Sequence, residues 1–157
     1  MKCSLVEQSE ALFDKTMEVN LKGPFRLMAL VGERMARAGG GSIVNISSIG
    51  SQRPSAAEAT YSAAKAGLNA LTQAFAQEYA PNVRVNCVMP GGFESDMSAD
   101  WPAEFVATVV DRLPAGRLGR PEELVGSRRS PRWRPQYVHD RRHHPGHKQV
   151  GVYLAVY

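Results

Sequence analysis

The stretch 41-GSIVNISSIGSQRPSAAEATYSAAKAGLNALTQAF-75 decides the fold of this protein. It contains the β-branched run SIVNIS, which is too short for a helix and apolar enough to be a buried strand. A small polar loop follows, and residues 60–80 are then rich in strong helix formers with one apolar stripe along them. A strand, a loop and a helix in this order indicate one unit of an α/β protein with a parallel sheet.

The segments on either side continue the same alternation. Residues 9–37 predict a short helix followed by a long one, because their apolar residues recur with a period near 3.6. Residues 83–89, VRVNCVM, predict a second buried strand that ends at a Pro-Gly-Gly turn. Residues 102–114 and 119–126 predict two further helices. With only two clear strands, the sheet is expected to be part of a larger one.

Composition limits the class of protein. The chain has 157 residues, enough for one domain with a core, and 43% apolar residues, which is typical of globular proteins. No apolar run reaches membrane-spanning length, and the first fifteen residues carry acids where a secretory signal would be apolar. We therefore expect a cytoplasmic protein without a membrane segment. Cys3 and Cys87 form no CxxC pair, so no metal site is predicted.

The charge is unevenly distributed along the chain. Residues 1–126 hold twelve Lys and Arg against fourteen Asp and Glu, whereas residues 127–157 hold seven basic residues, one acid and all four histidines. This contrast predicts two parts. Residues 1–126 form the α/β domain, and residues 127–157 are a basic, disordered or irregular tail outside the fold.

Three polar residues stand at the boundaries of the predicted strand and helix. Ser48 closes the strand, at the sheet edge where parallel α/β proteins bind ligands. Tyr61 and Lys65, four residues apart, share one helix face. An ammonium group near the phenol would lower the tyrosine pKa from about 10, so that the phenol could exchange a proton with a carbonyl or alcohol oxygen. Taken singly, each residue could equally be a strand cap, a surface tyrosine or a solvated lysine.

The same residues closely resemble the short-chain dehydrogenase/reductase family. The match covers about residues 9–126 in five segments that occur in the family's order. The segment VNLKGPF supplies Asn20, which in that family supports a helix kink and holds a water in a proton relay. GGGSIVNISS supplies Ser48, rather than Ser47, at the catalytic spacing. YSAAKAG supplies Tyr61 as general acid/base.

The resemblance also implies the cofactor contacts. Tyr61 and Lys65 would bind the nicotinamide ribose, while Pro90 and Gly91 of VRVNCVMPGGFESDM would lie beside the nicotinamide. Ser95 stands where the family usually has threonine. The implied reaction is hydride transfer between NAD or NADP and a small carbonyl or secondary alcohol. The implied assembly is a homo-oligomer formed through helices 17–37 and 61–80.

Two features depart from the family pattern. The glycine-rich TGxxxGxG turn that binds the cofactor phosphates is absent, and the AGGGS at 38–42 follows a helix rather than a strand. We therefore expect a partial, Rossmann-like doubly wound parallel sheet, the catalytic half of the family's domain. The chain by itself is then expected to have impaired activity.

The second departure is the tail, SRRSPRWRPQYVHDRRHHPGHK, which follows the family-like GRPEELVG. It can be interpreted as a basic arm for nucleic acid, as a histidine-rich metal tract, or as the product of a shifted reading frame. The abrupt break inside a recognisable motif favours the shifted frame over a role in nucleic-acid binding. The alternative to an enzyme is a non-catalytic chain that binds a partner through this tail or its exposed faces.

Overall fold

The structure, a computed structural model, describes residues 5–111, 113, 115–126 and 152–154. Short 3-10 turns lie at Leu5–Glu7, Ile49–Ser51 and Ala56–Glu58, and a π-helical turn lies at Glu18–Lys22. The helices and strands, in chain order, are α1 (Glu10–Met17), α2 (Gly23–Arg37), β1 (Gly41–Ile46), α3 (Ala59–Glu78), β2 (Val83–Met89), α4 (Asp96–Ala99), α5 (Ala103–Asp111), α6 (Pro121–Gly126) and β3 (Val152–Leu154).

The described strands form a parallel sheet in the order β1-β2-β3. β1 pairs with β2 from Gly41 opposite Val83 to Ile46 opposite Val88. β3 pairs with the end of β2, where Cys87 lies opposite Val152. The predicted α/β class with a parallel sheet is confirmed, and the two predicted strands are β1 and β2. β3 was not predicted.

The division into a domain at 1–126 and a tail at 127–157 stays a prediction. Of the tail, only Val152–Leu154 belongs to the described residues, and these three lie in the sheet. The segment considered as a nucleic-acid arm, a histidine tract or a shifted frame lies outside the described residues.

The core lies between the sheet and helices α2 and α3. Val83 and Val85 of β2 are both almost fully buried, since alternate residues of a strand point to the same face. Against them pack Met28 of α2 with Leu68 and Ala76 of α3. This packing holds α3 against β2, and the first turns of α3 carry Tyr61 and Lys65.

A π-helical turn joins α1 to α2. The N–H of Gly23 donates to the carbonyl of Glu18, five residues earlier, and a Cβ on Gly23 would lie 3.2 Å from that oxygen. Pro24 has no N–H to continue the α-helical pattern, which favours a local change of hydrogen bonding at this point. The single kink expected from Asn20 is therefore a π turn that includes Asn20 itself.

Candidate active site

The two serines that follow β1 make different hydrogen bonds. Ser47 is buried, and its hydroxyl donates to the carbonyl of Lys65 at 3.1 Å, which ties the end of β1 to α3. The pairing with β2 continues past both serines, since the N–H of Ile49 donates to the carbonyl of Pro90 at 2.9 Å. Ser48 has an extended backbone, so its side chain points away from that of Ser47. Its hydroxyl oxygen accepts the N–H of Gly50 at 3.1 Å.

Tyr61, in the first turn of α3, reaches this second serine. Hydrogen bonding with the side chain of Ser48 acts to lower the pKa of the phenol. Burial acts in the opposite direction and is the larger effect, and the charge of Glu58 adds to it, so the pKa of Tyr61 is raised above its ordinary value. The tyrosine is therefore a neutral phenol near pH 7, able to donate its proton.

Lys65 lies one turn further along α3. Its ammonium donates to the carbonyl of Ile46 at 2.9 Å and lies 5.5 Å from the centroid of the Tyr61 ring. Burial lowers the pKa of Lys65. The expected lowering of the Tyr61 pKa by Lys65 is wrong for this chain by itself. The ammonium sits over the ring face and bonds to Ile46, so burial of the phenol dominates.

Asn20 lies on the π turn, which is a separate element from those that carry Ser48, Tyr61 and Lys65. Its side-chain amide donates to the carbonyl of Thr16 at 3.0 Å, within its own helical segment. The π turn packs on α3 through Leu21, whose side chain fills the space beside Gly67. The structure thus joins Ser48, Tyr61 and Lys65 and places Asn20 on the neighbouring turn, with its role as a relay residue still a prediction.

The predicted cofactor residues after β2 differ in their surroundings. Pro90 is hydrogen-bonded to the loop that carries Ser48. A Cβ on Gly91 would meet nothing within 4 Å, so open space borders this position. Ser95 is exposed and caps α4, since its hydroxyl accepts the N–H of Ser98 at 3.3 Å and its own N–H donates to the Ser98 hydroxyl at 2.7 Å. The hydroxyl predicted to bind cofactor therefore serves as a helix cap here.

Sequence reasoning missed Glu58, which stands three residues before Tyr61 on the 3-10 turn that leads into α3. Its charge acts on the phenol. The sequence did contain a signal for Glu58. It precedes Tyr61 by three residues, and in a helical turn this spacing places two side chains on the same face.

The described residues offer neither a cluster of metal ligands nor a membrane-spanning helix. Within that part of the chain, no group of three or more His, Cys, Asp and Glu side chains could hold a metal ion. None of the described helices combines the length and apolar character that crossing a bilayer requires.

Comparison with known proteins identifies similar chains. The sequence profile of the short chain dehydrogenase family matches residues 2–105. The chain is 39% identical over 122 residues to 3-oxoacyl-(acyl-carrier-protein) reductase FabG of Thermotoga maritima, covering 77% of this chain and 50% of that protein. It is 37% identical over 128 residues to the NAD-dependent glycerol dehydrogenase of Listeria innocua, covering 78% and 50%.

A crystal structure of a candidate gluconate dehydrogenase from Agrobacterium tumefaciens matches the fold with a TM-score of 0.74. The sequence identity is 38%, and the match covers 79% of this chain and 50% of the other. The chain thus spans about half the length of the relatives it matches.

Proposed function

The chain belongs to the short chain dehydrogenase family, and on that premise we propose that its site transfers a hydride and a proton between a nicotinamide cofactor and a small carbonyl or secondary alcohol compound. The observation that carries the proposal is that the Ser48 side chain acts on the Tyr61 phenol, while the Lys65 ammonium lies 5.5 Å from the centroid of the same ring. We expect the two hydroxyls, which come from different elements, to hold one substrate oxygen together.

The protonation state of Tyr61 supports the acid role. Because burial keeps the pKa of the phenol above its ordinary value, the group is protonated near neutral pH. In the direction of reduction, the phenol of Tyr61 donates its proton to the carbonyl oxygen as a hydride reaches the carbonyl carbon, which yields the alcohol and a phenolate. The hydroxyl of Ser48 holds that oxygen in place, and the phenolate recovers a proton from solvent. Oxidation of the alcohol uses the same groups in reverse.

The residues present fit one end of a nicotinamide cofactor. The Lys65 ammonium has three donors and spends one on the Ile46 carbonyl, which leaves two for ribose hydroxyls. The open space at Gly91 lies beside the Ser48 loop, as a flat ring would require. When bound, the nicotinamide supplies or accepts the hydride. The 157-residue sequence contains no TGxxxGxG turn for the phosphates, so we expect weak binding and impaired turnover.

The proposal includes a second copy of the chain as partner and a cytoplasmic location. The helices assigned to an interface, 17–37 and 61–80, border a groove of about 610 Å³ lined by Met17, Leu21, Phe25 and Leu71, among others. Nearby side chains of α1 and the π turn are also exposed, including Phe13 at 46% and Val19 at 57%. Exposed apolar patches of this kind commonly mark protein interfaces.

The proposal is tested by titrating the purified chain with NADH and NADPH and by following cofactor oxidation with butane-2,3-dione as a neutral carbonyl probe. We expect saturable binding at millimolar cofactor and a slow reduction that falls at least about tenfold in Tyr61→Phe and Ser48→Ala. A reduction rate unchanged in Tyr61→Phe, or no binding of either cofactor, would overturn the proposal. Salt-sensitive retention on DNA without a cofactor signal would favour the non-catalytic alternative.

A further inference from the structure

Three side-chain oxygens converge on one face of Gly50, two residues after Ser48. A Cβ built on this buried glycine would lie 3.3 Å from the hydroxyl oxygen of Ser62 and 3.4 Å from that of Ser48. The same position is 3.7 Å from a carboxylate oxygen of Glu58. A carboxylate therefore borders the hydroxyl that we assign to the substrate oxygen.

The three oxygens differ in their access to solvent. The hydroxyl of Ser62 is buried and finds no hydrogen-bond partner among the described residues. Glu58 is exposed, on the 3-10 turn Ala56–Glu58 that leads into α3. The buried hydroxyl thus forms the floor of the cluster, and the carboxylate forms its rim on the solvent side.

We propose that Glu58 is a specificity-determining residue that selects substrates by charge: it makes the rim of the Ser48–Tyr61 site acidic, so the site takes neutral or cationic carbonyl and alcohol compounds and disfavours anionic ones. This inference rests on the function proposed above and adds a substrate class to it. Among the described residues, Glu58 from the 3-10 turn and Lys65 from α3 are the charged groups that face Tyr61.

The charge of Glu58 reaches the reacting group. It raises the pKa of Tyr61, although burial does so more strongly. Lys65 carries the opposite charge, but its ammonium is directed to the Ile46 carbonyl and lies over the Tyr61 ring, whereas Glu58 is the exposed charge at the rim. A carboxylate on the substrate, placed several ångströms from Glu58, would meet a like charge at the rim. Because Glu58 is exposed, the effective dielectric there is close to that of water, and such a pair weakens binding by a factor of about three to ten.

The first test uses the whole 157-residue chain with ¹³C-labelled tyrosine and no cofactor. Glu58→Gln removes the charge and keeps the shape, and the ionisation midpoint of Tyr61 is expected to fall because the charge of Glu58 raises it. Glu78→Gln is the matched control, because Glu78 acts on Tyr79 at the other end of α3. It should lower the Tyr79 midpoint and leave Tyr61 unchanged. Tyr61→Phe and Tyr79→Phe identify the two signals.

The second test compares cyclohexanone with 4-oxocyclohexanecarboxylate at pH 7, using the Tyr61 ring signal as the reporter of binding. The wild-type chain is expected to bind the neutral ketone three to ten times more tightly. Glu58→Gln should bring the two affinities together by improving the anion, with the affinity for the neutral ketone unchanged. Glu78→Gln should retain the wild-type preference.

The outcomes separate this inference from the function on which it rests. Equal affinities for the two ketones in the wild-type chain, or a preference that survives Glu58→Gln, would overturn charge selection and leave the site intact as a carbonyl site. A Tyr61 midpoint that does not move in Glu58→Gln would overturn it as well. If neither ketone shifts the Tyr61 signal, the proposed function fails and charge selection fails with it.

Discussion

The side chain of Leu21 occupies the space that a Cβ on Gly67 would need, with its Cδ1 atom 2.9 Å from that position. Leu21 belongs to the π turn that also carries Asn20, and Gly67 lies in α3 two residues after Lys65. A glycine in the middle of a helix costs stability, so its presence here is explained by the close approach of the two segments. The contact holds the Asn20 turn against the helix of Tyr61 and Lys65.

Because Leu21 contacts Gly67, we expect the effect of Gly67→Ala on the free energy of unfolding to change sign when Leu21 is replaced by alanine. In the wild-type background, Gly67→Ala is expected to destabilise the chain by about 1 kcal/mol, because the displaced leucine outweighs the gain in helix propensity. In a Leu21→Ala background the space is free, and the same substitution should stabilise by about 0.5 to 1 kcal/mol. Urea unfolding of the four chains measures both values. The same sign in both backgrounds would show that the two residues do not meet.

We expect Ser48→Ala and Ser47→Ala to change different properties of the chain. Ser48→Ala removes the hydrogen bond that lowers the pKa of Tyr61, so the ionisation midpoint of this tyrosine should rise further above its ordinary value. Ser47→Ala leaves the Tyr61 midpoint unchanged and removes the bond to the Lys65 carbonyl. It should cost about 1 to 2 kcal/mol of stability, because that carbonyl lies beside a buried position. Absorbance at 295 nm and urea unfolding measure the two effects, and exchanged phenotypes would refute the assignment of Ser48 to the site.

A part-buried hydrogen bond between β1 and α3 makes the buried Thr72 a predicted stability determinant. Its hydroxyl oxygen accepts the Asn45 side-chain amide at 2.8 Å and its proton goes to the Leu68 carbonyl at 2.7 Å. Thr72→Val leaves the Asn45 amide with the Met28 sulfur, a weak acceptor at 3.0 Å, and should cost about 1 to 3 kcal/mol.

Thr108→Val is the control for Thr72→Val, since the exposed hydroxyl of Thr108 makes a comparable bond to the Glu104 carbonyl at 2.9 Å. This exposed substitution should change stability by less than about 0.5 kcal/mol. Equal effects at the two threonines, by thermal or urea unfolding, would mean that the Asn45–Thr72 bond contributes nothing.

An exposed ion pair predicts an acid-dependent change in stability. Arg117 donates to both carboxylate oxygens of Glu123, at 2.9 and 2.6 Å, and the Arg120 N–H adds a third bond at 2.7 Å. These contacts, led by the hydrogen bonds from Arg117, lower the pKa of Glu123 to about 2. A depressed folded-state pKa gives stability that is present above about pH 4.5 and lost as the pH falls toward 2.

Glu123→Gln should therefore lower Tm by no more than about 2 °C at pH 6, because the pair is exposed. The difference from the wild-type chain should shrink as the pH is lowered from 4.5 toward 2. Thermal unfolding at pH 6 and pH 2.5 measures it, and a constant difference at the two pH values would contradict the role of the Glu123 charge.

Much of the fold could be predicted from local patterns. The β-branched runs at 42–47 and 83–89 correspond to β1 and β2, and the helix-forming run at 60–80 corresponds to α3. These patterns are set by residues within a few positions of one another, so they can be recognised without knowing any contact between distant segments. The π turn is different, since its hydrogen bonding depends on Gly23, Pro24 and Asn20 acting together. The strand Val152–Leu154 lies in the apolar run QVGVYLAVY, which the sequence-based prediction left unassigned, and its pairing depends on β2, more than sixty residues earlier.

The sequence by itself determined the family and which residues we propose for the chemistry, because the spacing of Ser48, Tyr61 and Lys65 and the order of the surrounding segments are properties of the chain. Only the tertiary structure decided how those residues behave. The pKa of Tyr61 is raised rather than lowered, since the protonation of a phenol responds to burial and to every nearby charge, including that of Glu58. These depend on packing between β1, α3 and the loop between them, which no spacing along the sequence specifies.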